Sequence, residues 1–79
     1  MTVQLVTGEF SKIETLDMVT QMFEMRIKFH EDKIMSSHNE EDIKMRENKI
    51  KFLQGELGQA RKYLVLKDEL IAVSCTITF

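Results

Sequence analysis

Two apolar stripes that match each other in reverse constrain this 79-residue chain more than any other feature. Leu16, Val19, Phe23, Ile27, His30 and Ile34 recur at steps of three and four. Ile43, Arg46, Ile50, Leu53, Leu57, Ala60 and Leu64 keep the same rhythm. Such steps place each set on one side of a helix, as in a coiled-coil seam. Folding the chain back near residue 38 sets Ile34 against Ile43, Ile27 against Ile50 and Phe23 against Leu53. It also sets Val19 against Leu57, Leu16 against Ala60 and Ile13 against Leu64. The register closes from both directions, so the sequence predicts an antiparallel αα-hairpin roughly 37–40 Å long at 1.5 Å per residue.

Local signals agree with that hairpin. Ser11 and Glu14 have the spacing of a capping box, and Ser37 with Glu40 repeats it, with Asn39 as a rival N-cap. Glu40, Glu41 and Asp42 open the second helix, where the helix dipole favours negative charge. Glu24–Lys28, Glu40–Lys44, Asp42–Arg46 and Glu47–Lys51 fall at (i, i+4), each pair worth about 0.2–0.5 kcal/mol on an exposed face.

The ends read as strands. Residues 2–7 are rich in Val and Thr before Gly8 breaks the pattern. In the last stretch Ile71, Val73, Cys75, Ile77 and Phe79 fall on one face, with Ala72, Ser74, Thr76 and Thr78 on the other. The expected order is therefore strand 2–7, helix 11–36, helix 40–66 and strand 70–79. This is one α+β domain, mainly α, in which the terminal strands pair antiparallel at the open end of the hairpin. Two points stay open. Gly55 and Gly58 mark either a close approach or a kink in the second helix. Residues 63–70 also admit a β-hairpin that shortens that helix.

One such unit is short of packing partners. Met18, Met22, Met25 and Phe29 form a second apolar row on the first helix, and Met45, Phe52 and Tyr63 form a weaker one on the second. An isolated two-stranded ribbon is marginal in water and leaves open edges. Self-association into a four-helix bundle would cover both. Met18, Met22, Met25, Phe29, Met45 and Phe52 are thus the expected interface residues, for a second copy or for another protein's helix.

Composition narrows the chemistry. A net charge of −2 gives no general cationic field, so nucleic acid is not the expected partner. The cations of the second helix nevertheless make a small nucleic-acid-associated regulator the runner-up. One cysteine excludes an internal disulfide, and its place on the apolar strand face reads as a buried structural thiol. No apolar run approaches a membrane span, and the start lacks the pattern of a signal peptide, so a cytoplasmic location is expected. Neither phosphate-loop nor metal-ligand spacing occurs, and no enzyme activity or cofactor is expected. The polar members of the seams, His30 and Arg46, fall at one level. They read as a layer that fixes register, or as an anion- or pH-responsive one, with Glu31, Asp42 or Glu47 as the nearby counter-charge.

Overall fold

The computed structural model describes residues 1–79. Strand β1 (Thr2–Phe10) leads into α1 (Lys12–Ser36), and α2 (Glu40–Val65) returns to β2 (Ile71–Thr78). The two helices pack antiparallel, and the two strands form one antiparallel ribbon. The chain is a β-α-α-β helical hairpin. No helix is long and apolar enough to cross a membrane.

Each boundary has a local cause. The Ser11 hydroxyl accepts the Glu14 N–H at 3.2 Å, and the Glu14 carboxylate accepts the Ser11 N–H at 3.0 Å, so the capping box forms. Those bonds, the backbone one first, hold the Glu14 carboxyl below its usual pKa. At the hairpin turn Asn39 is the N-cap of α2, accepting from the Glu41 and Asp42 N–H groups. Ser37 ends α1 instead, and its hydroxyl accepts the Asn39 N–H. The α2 helix runs unbroken through both glycines to Val65, so residues 63–70 form no extra hairpin.

The seam lies where the two stripes place it. Leu16, Val19, Phe23, Ile27, His30 and Ile34 are half-buried, as are Ile43, Arg46, Ile50, Leu57, Ala60 and Leu64. Leu53, near its centre, is fully buried. Ile13 departs from its expected place against Leu64 and is 80% exposed. A step of four back from Leu16 reaches Lys12, which is closer to the seam axis than Ile13 on a helix of 100° per residue. Lys12 takes the position, and its Nζ donates to the Val65 carbonyl at 3.1 Å. Arg61 adds a bond from its guanidinium to the Thr20 hydroxyl at 3.2 Å. Among the four expected (i, i+4) ion pairs only Asp42–Arg46 closes, at 3.4 Å. The other side chains stay in water, where a surface pair gains little.

β1 runs three residues beyond the expected end, to Phe10. Its register with β2 shifts between Gln4 and Val6, making Leu5 the extra residue of a β-bulge. The bulge re-phases the strand, so that Val3, Val6, Gly8 and Phe10 all lie opposite the apolar positions Ile77, Cys75, Val73 and Ile71. Gly8 has φ +148°, a conformation that side-chain-bearing residues rarely adopt. At the far end the Phe79 N–H donates to the Met1 carbonyl at 2.7 Å, and the Met1 ammonium donates to the Phe79 carbonyl. Cys75 is half-buried rather than buried, because nothing closes over the whole ribbon face.

The molecule is one element thick. It measures 46 × 33 × 13 Å, and a helix with its side chains is itself about 10–12 Å across. Its radius of gyration is 15.2 Å, against about 11.6 Å for a compact chain of this length. Only Leu53 and Thr15 are fully buried.

Candidate interaction surface

The sites of interest are a polar layer in the seam and an apolar surface beside it. His30 and Arg46 meet within the hairpin, where Arg46 Nη1 donates to His30 Nδ1 at 3.1 Å. Asp42, one turn before Arg46 on α2, supplies the counter-charge through Arg46 Nε at 3.4 Å. Glu31 and Glu47 take no part in these bonds. An accepting Nδ1 belongs to a neutral imidazole with its proton on Nε2. The surroundings favour that form. Partial burial is the first cause holding the His30 pKa below its ordinary 6.5, followed by the charges of Arg46, Lys49 and Arg26.

The two apolar rows diverge around α1. Met18 and Met25 lie almost half a turn from the seam, on the side of α1 turned away from α2. There they line an open groove of about 430 Å³ with Met22, Gln21 and Val6 of the ribbon. The ribbon therefore leans back along α1 instead of continuing the hairpin axis. Met18 and Met22 are half-buried, whereas Met25 and Phe29 are mostly exposed. The Phe29 ring meets His30 edge-on, with centroids 5.5 Å apart, and Lys33 Nζ lies 5.7 Å from the Phe29 centroid.

On α2 the row Met45, Phe52 and Tyr63 is exposed, with Phe52 at 64%. Two hollows adjoin this row, and the first ties it to α1. One, of about 260 Å³, is lined by Arg26, His30, Lys49, Phe52 and Leu53. The other, wide and shallow, runs along α2 past Lys44, Met45 and Asn48 and shares Lys49 and Phe52. Arg26 and Phe52 thus belong to one face of the hairpin, and that face mixes apolar rings with charge. Lys49 and Glu56 lie in the same α2 row, interleaved with Met45, Phe52 and Tyr63 at steps of three, four and seven. Sequence reasoning gave Arg26 no role, and read Lys49 only among the cations of the nucleic-acid alternative and Glu56 among the carboxylates that offset them, because charges at helical spacing look like an ordinary solvated face. Their distance in sequence from the aromatic row was the available signal.

The opposite face is different in kind. Asp17, Glu24 and Glu31 of α1 and Glu47 and Gln54 of α2 fall on it, all of them exposed. No group of three or more metal-ligating side chains converges anywhere in the chain. No protein-family model matches the chain, and neither a curated protein nor a solved structure matches it.

Proposed function

We propose that this chain is a non-enzymatic, self-associating protein-interaction module that completes its fold by pairing with a second copy. One observation carries the reading. The chain exposes 6281 Å² at a mass of 9.3 kDa, whereas a compact monomer of that mass exposes about 5,000 Å², an excess of about 1,300 Å². Domains are built from at least two packed layers, and this chain has one. Two copies hiding that excess would bury about 2,600 Å² together, within the range of obligate homodimers. The apolar groups available for the contact are Met18, Met22, Met25, Phe29, Met45 and Phe52. The product would be a four-helix bundle carrying two β-ribbons.

The test is solution mass by light scattering behind size exclusion, over a dilution series. The expected result is twice the 9.3 kDa chain mass. Phe52→Glu and Phe29→Glu are expected to return the mass to one chain while the helical circular-dichroism signal persists. A mass of 9.3 kDa at every concentration up to about 100 μM, weaker than any obligate pairing, would overturn the proposal.

A further inference from the structure

We infer that the two copies dock face to face and antiparallel, about a twofold axis crossing the hairpin at the level of Phe52. This rests on the self-association reading above. Charge register decides between arrangements on the face that carries Phe52, Lys49 and Arg26.

Two twofold arrangements can stack these hairpins face to face. With the axis along the hairpin, the copies run parallel and α1 lies over the partner's α2. With the axis across the hairpin, the copies run antiparallel and α2 lies over the partner's α2. The His30–Arg46 contact fixes how levels on the two helices correspond, because it ties position 30 to position 46. Arg26, one turn further from the loop on α1, is then level with Lys49 on α2 to within about 1.5 Å.

That correspondence penalises the parallel form. It would press Arg26 of each copy against the partner's Lys49, twice, beside a half-buried imidazole already disfavoured in its charged form. Glu56 would meet the partner's apolar Met22 level. The antiparallel form removes the cation pair, setting Arg26 instead at the level of the partner's Met22. Lys49 lies three residues from Phe52 toward the loop, and Glu56 lies four residues from it toward the open end. An axis at Phe52 exchanges those levels, so Lys49 of each copy stands within about 1.5 Å of the height of the partner's Glu56, on the helix directly opposite. Phe52 meets the partner's Phe52 at the centre, an aromatic pair ringed by two ion pairs. The apolar rows fit this axis only loosely, since it leaves Met45 about 6 Å in height from the partner's Tyr63. Met45 and Tyr63 lie seven and eleven residues on either side of Phe52, so each lies over the partner's opposite half.

The experiment is a dimer dissociation constant from sedimentation velocity at about 0.1 M salt, where surface charge is not fully screened. The variants are Lys49→Glu, Glu56→Lys and the double exchange. Antiparallel docking predicts that each single variant weakens the dimer roughly tenfold, since each turns two attractions into two repulsions. The double exchange restores the pairs and returns affinity to within about threefold of the parent. A parallel dimer gives the opposite sign for Lys49→Glu, which would tighten by meeting the partner's Arg26. Tightening, or a dimer indifferent to all three variants, overturns the antiparallel geometry and leaves self-association standing. A parent chain that stays monomeric overturns both.

Discussion

The surroundings of His30 disfavour its charged form, and that has a pH consequence with a definite sign. Its folded pKa lies below the ordinary 6.5, so the unfolded chain binds the proton more tightly. The stabilising contribution is complete above the unfolded pKa and is lost as pH falls through the folded one. Chemical denaturation should therefore show the parent losing more stability between pH 7.5 and pH 5 than His30→Gln, which cannot take up a proton. Equal losses would remove His30 from the account. Gly8 makes a second case at this scale. A methyl group there would meet the Phe10 ring at an ordinary 3.5 Å, so space is not the obstacle. The obstacle is φ +148°, and Gly8→Ala is expected to cost about 1–3 kcal/mol, read from the urea midpoint.

Among the elements, the hairpin is legible in the sequence because steps of three and four leave a trace there. The same trace misled at Ile13, where apolar character outweighed a helical phase that favours Lys12. The Leu5 bulge left no trace at all, since an extra residue in a strand needs no special side chain. Ser37 and Asn39 compete for one cap, and only the backbone decides between them. For the candidate surface the apolar rings were visible, and Lys49 and Glu56 were visible as charges, but their place beside those rings was not. Whether a lysine faces water or a partner is a property of the surface opposite. Two predictions belong to this scale. Leu53→Ala removes the one fully buried seam side chain and is expected to cost about 2–3 kcal/mol, the low end for a core leucine because most of its neighbours are half-exposed. Gly55 and Gly58 show open space where a methyl group would sit, on a helix that runs unbroken past both. Gly55→Ala and Gly58→Ala should each add about 0.5–1 kcal/mol and raise the melting temperature. A loss at either would mean that the glycine side of α2 is covered in the assembled state.

At the scale of the whole molecule, the proposed dimer has a thermal signature, since a layer that pairs with a second copy melts at a temperature that depends on concentration. Differential scanning calorimetry over a hundredfold range should show the midpoint climbing with protein concentration, and a constant midpoint would mark a chain that folds alone. The ribbon carries a consequence of another kind. It is made from the two ends of the chain, and even its nearest partners, Phe10 and Ile71, are about 60 residues apart. Joining them in an unstructured chain would cost about 3.6 kcal/mol in loop-closure entropy, for a pairing that is marginal in water. The hairpin abolishes most of that search, because its turn is local and its helices carry both ends to the same place. Contact order therefore predicts that the loop and its seam form first and the strands last. Loss of structure runs the other way. Strand amides should exchange with solvent through openings that leave the helices intact, so the chain frays from its joined ends toward its middle.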